Sequence, residues 1–197
     1  MNYSNQILRI VRKNKGVVTT SEVTAAKILP QHLKVLVAKG LLEHTTRGIY
    51  SLPSVLEDEM LNFQTRFKKG IFSHETALFI YNLTDRTPNK FTMTFPTGYN
   101  TSSIKKENLN YTHIKKEYLE IGAIWAKSPN WNPIRVYNAE RTLCDLLKSQ
   151  NNTDVQILVD ALKEYTQSKN KNIPLLSEYA KKFRVEKKLR PYLEVLI

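Results

Sequence analysis

The sequence predicts an α+β protein in which an amino-terminal block of short helices and a hairpin precedes a larger domain with a small sheet and several carboxyl-terminal helices. Three observations lead there. Apolar positions in the first forty residues recur at helical spacing and are punctuated by Gly16, Pro30 and Gly40. The next dozen residues switch to two short strand-like runs around Gly48. Beyond Gly70, alternating strand patterns give way to helical ones from Asn138 onward. The expected divisions are residues 1–52, a connector helix over 53–70, and 71–197.

Tyr3, Ile7, Ile10 and Val11 form one stripe at i, i+4, i+7, i+8, which predicts a helix over 3–14 ended by Gly16. Thr19-Thr20-Ser21-Glu22 has the form of a capping box and opens a short second helix over about 20–26. Pro30 fits the first position of a third helix, which Gly40 closes. On that helix Leu33, Leu36 and Val37 make the core stripe, which turns Gln31, His32, Lys34, Val35, Ala38 and Lys39 outward.

Leu41–His44 and Ile49–Leu52 read as strands around the loop Thr45-Thr46-Arg47-Gly48. Helix, tight helix pair and hairpin in this order predict a winged helix-turn-helix. Gln31 and His32 are then the residues expected at base edges of double-stranded DNA, since a Gln amide matches adenine. Lys13, Lys15, Lys34 and Lys39 are expected on phosphates, Arg47 on a phosphate or in the minor groove, and Ser21 completes the set at the second helix.

Charge agrees. The chain carries 30 Lys and Arg against 18 Asp and Glu, a net +12. Residues 1–52 hold eight basic and two acidic residues, so half of the excess lies in about a quarter of the chain. A second basic run, Lys181, Lys182, Arg184, Lys187, Lys188 and Arg190, is a possible second anion surface for DNA or RNA, or a solvated face.

In the connector, Leu56, Met60, Phe63 and Phe67 are apolar at i, i+4, i+7, i+11 after Pro53-Ser54, and this helix is expected to pack between two domains. Ser73 is expected to cap a helix to about Tyr81. Phe91, Met93 and Phe95 alternate as in a half-buried strand, and further strands are expected over 111–115, 119–125 and 133–137. Asn138 is placed to cap 139–148, Gln150-Asn151-Asn152 reads as a turn, and Thr153 opens a helix with Leu158, Ala161, Leu162 and Tyr165 on one face. Leu176, Tyr179, Ala180 and Phe183 mark another helix. A last one, with Val185, Leu189, Leu193 and Leu196, is expected to kink or restart at Pro191.

Four stretches carry a resemblance: Ser73-His74-Glu75-Thr76-Ala77-Leu78, Leu83-Thr84-Asp85-Arg86-Thr87-Pro88, Phe95-Pro96-Thr97-Gly98-Tyr99 and Tyr137-Asn138-Ala139-Glu140-Arg141-Thr142-Leu143-Cys144-Asp145. In that order behind a winged helix, they resemble the AbiE abortive-infection antitoxin family. The resemblance implies a type IV antitoxin and autoregulator. Its amino-terminal domain would repress its own operon at inverted repeats, and its carboxyl-terminal domain would counteract a nucleotidyltransferase toxin without needing a stable complex. Because one winged helix covers a short footprint, two copies are expected to bind such repeats cooperatively. A winged-helix repressor with a ligand-sensing second domain is the alternative.

Enzymatic readings are weaker. Glu140 suits the start of a helix and Arg141 with Asp145 an i, i+4 ion pair, so this run needs no catalysis to explain it. Ser73 beside His74 and Glu75 is similarly explained by helix capping, and Cys144 by burial. The four His are scattered, no phosphate or dinucleotide glycine motif occurs, and one cysteine excludes an intramolecular disulfide. No cofactor, metal or catalytic residue is expected. The first residues carry no basic, then apolar, leader pattern, and no apolar run reaches about 18 residues, so the expected location is the cytoplasm.

Overall fold

The computed structural model describes residues 3–55, 58–148 and 154–196. It is a mixed α+β chain that divides into two compact units: Met1–Lys68 with Asn130–Asn132, and Lys69–Pro129 with Pro133–Ile197.

The first unit runs α1 (Tyr3–Lys13), β1 (Val17–Thr19), α2 (Thr20–Ala25), α3 (Gln31–Ala38), β2 (Glu43–Thr46), β3 (Ile49–Ser51) and α4 (Glu59–Arg66). Ile7, Val11, Val18, Val23, Ile28, Leu33, Leu36 and Leu42 bury together as its core, as the helical stripes require. The capping box forms as predicted. Thr19 Oγ1 accepts from the Glu22 N–H at 3.2 Å, and Glu22 Oε2 accepts from the Thr19 N–H at 2.7 Å. Pro30 sits one residue earlier than expected, at the N-cap of α3.

Three corrections apply to this unit. The chain after Gly16 is strand β1, paired antiparallel with β3 in a sheet of order β1-β3-β2. The hairpin is also shifted: Thr45 and Thr46 belong to β2, Leu41 precedes it, and the loop shrinks to Arg47-Gly48. Finally, α4 begins at Glu59 and not at Pro53-Ser54; its N-cap is Asp58, whose carboxylate accepts from the Leu61 N–H at 3.0 Å and from Asn132 Nδ2 at 2.8 Å. Met60, Phe63 and Phe67 are buried as read; Leu56 lies outside the described residues.

The second unit contains β4 (Ile71–Phe72), α5 (Glu75–Ile80), β5 (Phe91–Pro96), β6 (Leu109–Ile114), α6 (Lys116–Leu119), β7 (Ala123–Lys127) and β8 (Pro133–Tyr137). Helices α7 (Ala139–Lys148), α8 (Val155–Gln167), α9 (Ile173–Lys182) and α10 (Glu186–Leu196) follow. Its sheet has the order β6-β5-β4-β8-β7, with β4–β8 and β5–β6 parallel and the other pairs antiparallel. The core joins Leu143, Leu146 and Leu147 of α7 to Leu158, Ala161, Leu162 and Tyr165 of α8, and to Leu176, Ala180, Phe183 and Leu189.

Here β5 is an interior strand, buried on both faces from Met93 to Pro96, because β4 and β6 flank it. A strand over 119–125 is replaced by α6 and then β7. Ser73 is not a cap. It is fully buried and accepts from Thr94 Oγ1 at 2.8 Å, and His74 takes the cap position at φ 54°. Asn138 does cap α7, its Oδ1 accepting from the Arg141 N–H at 3.0 Å. Helix α8 is capped by Asp154, whereas Gln150-Asn151-Asn152 and Thr153 lie outside the described residues. Helix α10 continues through Pro191 without a restart.

Candidate nucleic-acid interface

The exposed side of the first unit is built from the ends of its helices and the hairpin tip. Gln31, Lys34, Val35 and Ala38 form one exposed stripe on α3 at i, i+3, i+4, i+7, opposite the buried Leu33 and Leu36. Lys39 follows as the exposed C-cap. His32 is only half-buried, and its ring lies 4.9 Å from that of Tyr3 on α1. That contact orients the imidazole toward α1 and limits how far it reaches outward. Ser21 is exposed on α2, where its Oγ accepts from Lys68 Nζ at 3.5 Å.

Lys13 is exposed at the end of α1. Lys15 is exposed in a left-handed turn at φ 56°, and its ammonium lies 4.5 Å from the centre of the Trp131 ring. Trp131 is a participant that the sequence reading missed, since 116 residues separate the pair and no local pattern announces it.

Arg47 is exposed at the hairpin tip beside Gly48, whose φ of +82° closes the two-residue loop. The Gly48 carbonyl accepts from both the Thr20 N–H (2.9 Å) and Thr20 Oγ1 (3.3 Å), so the tip is tied to the first turn of α2.

In the second unit, Lys181 and Lys182 end α9, Arg184 turns at φ 60°, and Lys187, Lys188 and Arg190 lie on α10, all exposed. Two of the six serve the fold: Lys188 Nζ donates to the Leu147 carbonyl at 3.0 Å, and Arg190 Nε to Glu194 at 2.7 Å. A cleft of roughly 300 Å³ lies between α8 and the segment after α5, lined by Asn82, Thr84, Arg86, Asp160, Lys163 and Glu164.

The Glu140–Asp145 run is architectural. Arg141, fully buried, donates from Nε to both Asp145 oxygens at 3.0 Å and from Nη1 to the carbonyls of Tyr118 (3.0 Å) and Ile121 (2.7 Å). Its guanidinium carbon lies 4.3 Å and 4.0 Å from the ring centres of Tyr137 and Phe183. Burial pushes the Asp145 carboxyl above its ordinary value, and the Arg141 charge and hydrogen bond pull part of that shift back. Glu140 accepts from the Tyr165 hydroxyl at 2.9 Å.

Ser73 Oγ lies 3.0 Å from His74 Nδ1, yet the serine is fully buried and already accepts from Thr94, a poor arrangement for attack on a substrate. Burial pushes the Cys144 thiol up to about 12, leaving it protonated and unreactive. Among the described residues no group of three or more His, Cys, Asp and Glu is disposed to hold a metal, and no helix is long and apolar enough to cross a membrane.

Three comparisons bear on these surfaces. Residues 5–53 match the family described as "Transcriptional regulator, AbiEi antitoxin". Over those residues the AbiE antitoxin resemblance is borne out. The match covers α1 through β3, the elements that carry Gln31 and Arg47, whereas the four runs on which the sequence resemblance rested lie outside it. The description is that of a regulator and antitoxin. No curated protein matches the chain. Over 92% of its length the chain is similar in fold to the crystal structure of the RV2827C protein from Mycobacterium tuberculosis, covering 72% of that chain at a TM-score of 0.55 and 14% identity. That likeness concerns fold alone.

Proposed function

We propose that the first unit is a winged helix-turn-helix that binds double-stranded operator DNA and represses the operon in which this chain is encoded. Helix α3 enters the major groove with Gln31 at base edges and His32 beside it. Arg47 at the wing tip reaches a phosphate or the minor groove, and Lys13, Lys15, Ser21, Lys34 and Lys39 contact the backbone. Operator inverted repeats are bound cooperatively by two copies. The second unit, residues 71–197 in the division expected from the sequence with 53–70 as connector, counteracts a nucleotidyltransferase toxin of an abortive phage-infection system in the cytoplasm, and the chain itself performs no catalysis.

The observation that carries this reading is the exposed Gln31–Lys34–Val35–Ala38 stripe, presented by a unit whose sequence matches regulators of this kind. The test is a gel shift of the full chain on the DNA preceding its own gene. Gln31→Ala is expected to weaken that DNA by about 1 to 3 kcal/mol and random DNA by much less. Equal losses on both would show that α3 does not read bases. In cells, the full chain and a Gln31→Ala variant should rescue growth from the toxin equally, because rescue is assigned to the second unit; loss of rescue in the variant refutes that assignment.

The polar cleft along α8 favours a second reading, a repressor whose second unit senses a small ligand. A nucleotidyltransferase gene beside this one supports the antitoxin, and a transport or metabolic gene supports the sensor.

A further inference from the structure

Helix α3 presents aliphatic surface in the middle of its polar stripe. Val35 is 43% exposed, one turn after Gln31 and one turn before the exposed Ala38, with Lys34 alongside. Valine is a weaker helix former than Lys, Gln or Glu because its branched Cβ restricts χ1, so nothing local to the helix favours it at a solvent position.

The major groove does favour it. Donors and acceptors cover the base edges there, and the thymine C5 methyl is the apolar exception. A valine pressed on a donor or acceptor leaves that group dry and unpaired, whereas against a thymine methyl both partners lose only apolar surface to water. Spacing fits as well. Four residues of helix rise about 6 Å, close to two base-pair steps of about 3.4 Å.

We propose that Val35 is a thymine-reading residue: it seats on the C5 methyl of a thymine about two base pairs from the adenine that pairs with Gln31. The preferred half-site then holds an A·T pair at both positions, and Ala38 continues the apolar contact without adding a donor. This rests on α3 entering the major groove as proposed above.

The experiment selects duplexes from a random-sequence pool with the full-length protein, then replaces each thymine of the enriched sequence singly by deoxyuridine, which removes only the C5 methyl. One thymine in each half-site is expected to show about fourfold weaker binding on replacement, the scale of one buried methyl, and Val35→Ala is expected to show no loss there. At the same position, 5-methylcytosine opposite guanine should bind the wild type more tightly than cytosine does, and Val35→Ala should not distinguish them. Val35 is exposed and alanine is the better helix former, so the variant keeps its fold. If deoxyuridine costs the same in both proteins, or matters at no thymine, thymine reading is overturned while DNA binding stands. A pool that shows no enrichment overturns sequence-specific DNA binding itself, and thymine reading with it.

Discussion

Replacing Arg141 by methionine removes the side chain that ties α7 to α6 and to the turn that follows it. Asp145, 7% exposed, loses the guanidinium 3.0 Å away, and breaking one side of a buried ion pair typically costs about 3 to 5 kcal/mol. The carbonyls of Tyr118 and Ile121 lose their donor as well, at about 1 to 3 kcal/mol for each group left dry. These terms overlap, because relaxation that admits water relieves all three, so the expected loss is roughly 4 to 6 kcal/mol. Against a typical domain stability of about 5 to 15 kcal/mol, this brings the second unit close to unfolding. Arg141→Met with Asp145→Leu removes the stranded carboxylate and is expected to regain more than half of the loss, since apolar replacement of a buried pair is often neutral. The remainder belongs to the two carbonyls. Urea unfolding followed by circular dichroism, fitted with a transition for each unit, measures both variants. A single variant that loses less than about 1 kcal/mol, or a double variant less stable than the single, would refute the reasoning.

Arg47→Ala should lower the slope of log K against log salt by about 0.9 while leaving the fold unchanged, and a variant that keeps both slope and affinity would make the wing structural only. Gly48→Ala forces a Cβ into the left-handed region at φ +82° and should cost about 1 to 2 kcal/mol in thermal unfolding; an unchanged melting temperature would show that the tip relaxes freely. For the basic run, the informative variant changes Lys181, Lys182 and Lys187 to alanine and spares Lys188, which holds the Leu147 carbonyl; unchanged DNA affinity and Hill coefficient would return these lysines to a solvated role. His74 titrates below its ordinary 6.5 because burial disfavours the charged ring, so the unfolded chain binds its proton more readily. Its contribution to stability is present above pH 6.5 and is lost as pH falls through the lowered folded value, so melting temperature should drop as pH falls below about 6.5, and less steeply in His74→Asn. Parallel declines in the two proteins would argue against His74 as the source.

Signals that act within a turn or two were legible in the sequence. Thr19 with Glu22, Asn138 before α7, and Gly48 after Arg47 each satisfy or bend a nearby backbone group, and the structure uses them as read. Elements that exist only through distant pairing were not. Strand β1 is three residues long and forms because Val17, Val18 and Thr19 meet Ser51, Tyr50 and Ile49, while β4 has two residues between β5 and β8. The i, i+4 spacing gave the Arg141–Asp145 pair, but the burial of that pair comes from Tyr118, Ile121 and Phe183, which no window around residue 141 contains. Ser73 misled for a related reason: a serine before a polar turn looks like a cap until Thr94, 21 residues on, supplies its hydrogen bond.

In the first unit the same distant pairing fixes where the candidate DNA contacts stand. Strand β1 leads directly into α2, and it pairs with the strand that returns from the hairpin tip. The Gly48 carbonyl at that tip accepts twice from Thr20, filling both of its lone-pair directions from the first turn of α2. The hairpin tip and α2 are therefore joined by the β1–β3 pairing, which the Thr20 N–H continues past Thr19–Ile49, and by the Thr20 hydroxyl on the same carbonyl. Such a joint leaves Arg47 little freedom to move as a separate lever, because shifting the tip breaks the backbone hydrogen bonds that Ile49 and Gly48 make with both neighbouring segments. A loop of two residues is enough to hold Arg47 in place under these conditions, since the paired backbone sets its position and the side chain supplies the charge.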